Sequence, residues 1–287
     1  MKKRNNAALL IVFAAALVLL LCFVGADSFY RAEKPDVGQT KIIFFSLGNA
    51  DSILIQDGSG QIMLIDAGDN AHEETLVSSL HKLGVMRIDI LLLTHPHEDH
   101  IGGADAVIDA FDIGEIYMPE VEKDSASFMD LLEAAQDKGL LFTAARSGVK
   151  FNLGTNQFSI LSPDEHAQYS DMNDYSAVLS AQIRGTHFYF MGDATETIEN
   201  QLLSRNEVSK CDVLKVGHHG SDTSSTANFL AEAMPRYAVI CCDEDGPNAK
   251  VASRLTAIGA QTYRTGVCGT VILTVDSDGI SVKTQYE

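Results

Sequence analysis

The sequence predicts an α/β (α+β) protein in which two packed sheets are flanked by helices. Three observations carry that expectation. Short apolar runs alternate with amphipathic ones from residue 41 to the end of the chain. The apolar runs fall into two sets, roughly 41–93 and 158–275. Consecutive short strands near the start of each set suggest hairpins, which a purely parallel sheet lacks.

The elements follow in order. Residues 41–46, 52–56 and 61–65 read as strands separated by Gly, Asn and Asp turns. Residues 73–83 set Leu76, Leu80 and Leu83 at helical spacing. Residues 88–93 form a wholly apolar strand, and 104–111 and 125–138 read as helices. Strands are expected at 158–161, 177–183 and 187–191, a helix at 195–204 and a strand at 212–216. Helix 225–234, strand 237–241, helix 248–258 and strand 271–275 complete the pattern.

The amino terminus is organised differently. Lys2-Lys3-Arg4 precedes Ala7 to Ala26, 20 residues without a charge. About 20 apolar residues span a bilayer as a helix, and the basic flank stays in the cytoplasm. Residues 1–26 therefore read as a membrane anchor that leaves the rest extracytoplasmic. The rival is a cleaved signal peptide ending at Val24-Gly25-Ala26 and a secreted protein. Residues 27–40 are a polar linker and 41–287 one domain.

Composition narrows the function. Hydrophobic residues make up 46% of the 287, enough for a sizeable core. Net charge is −18, and setting aside the three leader cations leaves −21. That balance excludes a general polyanion-coating protein. Bound cations could still handle a phosphate. Five cysteines without a CxxC pair make neither a disulfide scaffold nor a zinc ribbon. Cys241 and Cys242 would point to opposite faces of a strand.

The chemistry concentrates in His95-Pro96-His97-Glu98-Asp99-His100-Ile101-Gly102-Gly103, after the strand 88–93. Four potential ligands in six residues cannot share one face of a strand or helix. In a loop they diverge toward two neighbouring sites. Imidazole with carboxylate suits zinc, with iron and manganese as alternatives. The two glycines let the chain turn tightly into a helix. Asp66, Asp193 and the pair His218-His219 each follow another apolar strand. An aspartate there is commonly a turn or helix cap. Four such strand ends meet on one rim only if that rim is a site.

These residues resemble the metallo-β-lactamase superfamily, whose signature is HxHxDH with a preceding Asp and later Asp and His. The resemblance runs from Lys41 to about Thr284. Its nearest form is the metallo-hydrolase domain of the ComEC competence protein and its stand-alone relatives. The segments that carry it are 51–55, 173–179, 192–194, 212–221 and 263–265 before Gly269-Thr270. It implies an αββα four-layer sandwich and two divalent metal ions, Zn2+ first, then Mn2+ or Fe2+. His95 and His97 would hold one ion; Asp99, His100 and His218 the other. Asp193 would bridge them, and Asp66 would orient a ligand histidine. A hydroxide between the ions would be the nucleophile. His219 would be a proton donor or phosphate contact. Asn173 and Ser176 stand where the wider superfamily has another ligand histidine, leaving room for a substrate oxygen. Ser221, Thr223 and Ser224 would lie at a helix start whose N–H groups hold an anion. His166 and His187 fit the pattern less well. The subgroup's later His-Pro is missing at 246–250, and the many-span channel domain is not in this sequence, so DNA uptake is not implied.

The expected activity is thus a membrane-anchored metal-dependent hydrolase of phosphodiesters, nuclease-like, with Asp99, Asp193 and His219 as its catalytic groups. A carboxylic ester, lactone, β-lactam or thioester hydrolase is the first alternative. A non-catalytic metal-binding module is the second. The membrane and the substrate are the expected partners, with no stable protein partner.

Overall fold

The computed structural model describes residues 35–286 together with Phe29. The expected anchor or signal helix lies outside the described residues. Among the described residues, no helix is long and apolar enough to cross a membrane.

The strands are β1 (Thr40–Phe44), β2 (Ile53–Asp57), β3 (Ile62–Ile65), β4 (Arg87–Leu92), β5 (Asp112–Met118), β6 (Phe142–Ala144), β7 (Lys150–Leu153) and β8 (Asn156–Ser162). They continue as β9 (Val178–Ile183), β10 (Thr186–Phe190), β11 (Val213–Lys215), β12 (Tyr237–Ile240), β13 (Gln261–Arg264), β14 (Val271–Asp276) and β15 (Gly279–Thr284). One sheet has the order β15-β14-β1-β2-β3-β4-β5-β6, the other β13-β12-β11-β10-β9-β8-β7. Ile42, Phe44, Ile53, Ile55 and Leu92 of the first sheet pack against Phe158, Leu179, Phe188, Phe190 and Val239 of the second. The outer face of the first sheet is covered by helices Glu73–Lys82, Ala104–Ala110 and Ala126–Asp137. Helices Glu196–Ser204, Ala227–Ala233 and Ala249–Ala257 cover the second. Four layers, helix-sheet-sheet-helix, result.

One expected grouping is corrected. The strand near residue 273 pairs not with the second set but with β1, Ile43 opposite Ile272. β1 is buried along its whole length, so it needs a neighbour on each side. Val271, Leu273 and Val275 complete the layer between the sheets.

Two parallel runs position the site. β3 pairs in parallel with β4, and β4 with β5. In the second sheet β10, β11 and β12 are likewise parallel. Their carboxyl ends carry Asp66, His95, Asp193 and the His218-His219 pair to a shared rim. The glycines after the histidine loop act otherwise than expected. Gly102 and Gly103 have φ of −56° and −91°, open to any residue. A Cβ on Gly103 would sit 2.6 Å from the Ala67 carbonyl, and one on Gly102 would meet the Asn70 backbone. Close approach to the Asp66 loop, rather than a tight turn, is what excludes a side chain.

Candidate metal centre

Two clusters meet at the rim. In the first, His95 Nε2 lies 2.9 Å from His97 Nδ1 and 4.0 Å from Asp193 Oδ2. In the second, His100 Nε2 is 3.3 Å from Asp193 Oδ1. His219 Nε2 stands 3.3 Å from Asp99 Oδ2 and 3.5 Å from Asp193 Oδ2. One ligand atom from each of Asp99, His100, Asp193 and His219 falls within a 4.8 Å group. Asp193 faces both clusters.

The backbone explains these placements. Asp66 takes a left-handed conformation, φ 58°, at the end of β3. Its carboxylate accepts the Thr94 N–H at 2.7 Å and the Thr94 hydroxyl at 2.8 Å. It also meets His100 Nδ1 at 2.7 Å, which leaves Nε2 facing Asp193. His219 Nδ1 is held 2.9 Å from the Cys241 carbonyl, so its Nε2 also faces inward. A ring nitrogen that donates to a carbonyl leaves the other nitrogen as a ligand.

The expected roles of His218 and His219 are exchanged in position. His219 is buried within the second cluster. His218 is 27% exposed, with Nε2 3.8 Å from Asp193 Oδ2 and Nδ1 2.9 Å from the Thr223 hydroxyl. Both residues are left-handed, φ 48° and 50°. That double turn, invisible in a pair of identical residues, carries the second ring past the first and into the site.

Three other expectations change. Ser176 is fully buried and accepts the Asp193 N–H at 3.0 Å, a contact that positions that residue. Its hydroxyl is 3.4 Å from His95 Nδ1. Asn173 is nearly buried, its Oδ1 without a hydrogen-bond partner. The helix expected to begin around Ser221 and Ser224 begins at Ala227, capped by Thr226. Ser221 instead accepts from the Thr223 hydroxyl at 3.1 Å, behind His218. His187 is bound to Ser180 and the Lys210 carbonyl, and His166 lines a separate cavity with Arg146 and Glu165.

Electrostatics suit cations. Asp51, Asp66, Asp99 and Asp193 surround the site with one buried ammonium, Lys215, among them. Burial works against a charged His219, but Asp193 and then Asp51 outweigh it and push the imidazole up to about 10. His100 is also raised: burial opposes, Asp193 and Asp66 prevail. Burial, then His100, holds His95 well below the usual range. Burial and the Lys123 ammonium lower His97. Burial would raise Asp99, yet His219 and His100 bring it down.

The donor set fits divalent metal. His100 Nε2, His219 Nε2 and Asp193 Oδ1 are buried without hydrogen-bond partners, and a cation among them would satisfy all three. Asp99, His100, Asp193 and His219 would hold one ion, and His95, His97 and Asp193 a second.

Residues 46–243 match the sequence profile described as "Metallo-beta-lactamase superfamily". The chain is 29% identical over 203 residues to ComE operon protein 3 of Bacillus subtilis, which spans 69% of this chain and 26% of that protein. It is 29% identical over 277 residues to competence protein ComA of Neisseria gonorrhoeae, 93% of this chain and 36% of that one. Ribonuclease Z of Aeropyrum pernix is 27% identical over 121 residues, 36% of this chain and 37% of its own. The chain thus spans about a quarter to a third of the length of its competence relatives. The metallo-beta-lactamase fold protein YhfI of Bacillus subtilis superposes with a TM-score of 0.54 at 13% identity, over 79% of this chain and 96% of its own. The profile covers well over half of the sequence, and the fold is that of a superfamily structure: the chain belongs to the metallo-β-lactamase superfamily.

Proposed function

We propose that the chain is a metal-dependent phosphodiesterase with nuclease-like chemistry. The observation that carries the metal-dependent reading is the set of three unpartnered buried donor atoms facing one another beside the His95–His97 pair. The phosphodiester reading is supported by the likeness to ribonuclease Z. Superfamily members are generally metal-dependent hydrolases, and cations bound here would activate water and neutralise an anionic substrate.

The chain's own groups then divide the work. His95, His97, Asp99, His100, Asp193 and His219 hold the metals. Asp66, Ser176 and the Cys241 carbonyl fix the orientation of those ligands. His218 stands at the mouth with Nδ1 tied to Thr223 and Nε2 facing inward, where it can give a proton to a departing oxygen. The purified chain should turn over a chromogenic phosphodiester with zinc or manganese and not after chelation. Faster turnover of a β-lactam, lactone or thioester, or turnover indifferent to metal, would replace this reading.

Protons should compete with metal. Without metal, the carboxylates around His219 and His100 make both imidazoles hold a proton more tightly than a free imidazole does. Zinc binding should therefore release protons, and affinity should fall as pH drops from about 8 to about 6. Calorimetry in buffers of different ionisation enthalpy measures both, and binding without proton release would contradict the assignment.

A further inference from the structure

We propose that the buried Lys215–Asp51 ion pair is a positioning device that sets the spacing between the metal-holding residues of the two sheets. The proposal rests on the metal-centre reading above.

Lys215 is the only lysine among the largest fully buried side chains of the described residues. Its Nζ lies 2.6 Å from Asp51 Oδ2 and donates to the Val216 carbonyl at 2.9 Å. Asp51 is buried as deeply, just before β2. Its backbone N–H donates to the Asp99 carbonyl at 3.0 Å, and its carbonyl accepts the Gly68 N–H at 2.8 Å. Asp51 thereby grips both loops that the first sheet gives to the site. Its carboxylate reaches further. Oδ1 is 3.5 Å from His219 Nδ1, and Oδ2 is 4.0 Å from His100 Nδ1. The carboxylate stands behind one metal-facing imidazole from each sheet. Lys215, on β11 of the second sheet, anchors it from the far side.

Asp51, Asp66 and His100 form a second group with metal-binding geometry. The Lys215 ammonium reaches that group at Asp51, held by covalent attachment to β11. A buried carboxylate without a counter-charge is costly, and removing one partner of such a pair is far more damaging than replacing both. Neither residue touches the mouth of the site, so any effect on metal passes through His219, His100 and the Asp99 loop.

The test compares the purified full chain with Asp51→Asn and with the double variant Asp51→Asn/Lys215→Met. Zinc is titrated by calorimetry, and Tm is read with and without saturating zinc. The double variant should unfold without metal close to wild type, because both charges leave together. Its zinc affinity should fall at least tenfold, within the ~10–100-fold seen when support of a ligand is lost. The zinc-dependent rise in Tm should shrink accordingly. Asp51→Asn alone keeps the side-chain shape but leaves the Lys215 ammonium unpaired, so it should lose zinc affinity in the same direction and also unfold at a lower Tm than the double variant. Wild-type zinc affinity in either folded variant, or an equal fall in Tm with and without zinc, would mean a purely structural pair and overturn the proposal. A wild-type chain that binds no zinc would instead overturn the metal-centre reading, and this proposal with it.

Discussion

His219→Ala should strip metal from the purified chain and end turnover, while His218→Ala should keep metal near the wild-type level and slow turnover by about 10²–10⁴-fold, the range for a lost general acid. The contrast follows from two adjacent rings in opposite situations. His219 is buried, its Nδ1 committed to the Cys241 carbonyl and its Nε2 left facing Asp99 and Asp193. Alanine there leaves two carboxylates without the nitrogen between them. His218 is part-exposed and tied to Thr223. Its loss removes a proton source without opening the cluster. Substrates with good leaving groups need no proton, so they should lose less in His218→Ala. Metal content by elemental analysis and turnover on two leaving groups decide the matter. The reverse pattern would return the metal to His218.

Asp193→Asn should lower affinity for both metals and collapse turnover. The carboxylate presents Oδ1 to His100 and Oδ2 to His95 and His219, so one residue serves both clusters. The amide keeps the shape but removes the charge and turns a donor toward one cluster. Two cations near each other would then repel with less compensation. The wild type should carry about two equivalents of metal, the number a two-metal centre requires. The variant should fall below one under the same loading, a larger effect than the ~10–100-fold of losing a group that only supports a ligand. Two retained equivalents would show that Asp193 does not join the clusters.

Much of the scaffold is legible because central strands such as residues 88–93 are apolar throughout. The strands without that signature were not. β15 alternates exposed and half-buried residues, β6 has three residues, and β13 is polar. Edge strands need no continuous apolar run, since one flank is open. β5 carries Asp112 and Glu115 among its apolar residues, which masks its pattern. The pairing of β14 with β1 depends on a contact across more than 200 residues, beyond any local pattern. Cys241 and Cys242 do face opposite layers, as alternation implies. Asp66, Asp99, Asp193 and the histidine loop were legible as strand-end residues. The choice between His218 and His219 was not, because two successive left-handed residues decide it. Lys215 had a readable signal: a lone cation within the apolar run 213–216.

The strand directions fix which end of the sandwich carries the candidate metal centre. β1 runs alongside β2 with Phe44 opposite Ile53 and Thr40 opposite Asp57. β2 in turn sets Ile53 opposite Ile65, beside Asp66. Phe44 therefore lies at the end of the sandwich where the metals would bind, and Thr40 at the other. A five-residue strand separates those ends by roughly 15 Å at ~3.3 Å per residue. Strand β1 thus starts at the end remote from the metal-holding residues, yet the Phe29 ring lies 4.6 Å from Lys283 Nζ, in line with Ile272 and Ile43, so residues before Thr40 reach back along the sheet toward the site end.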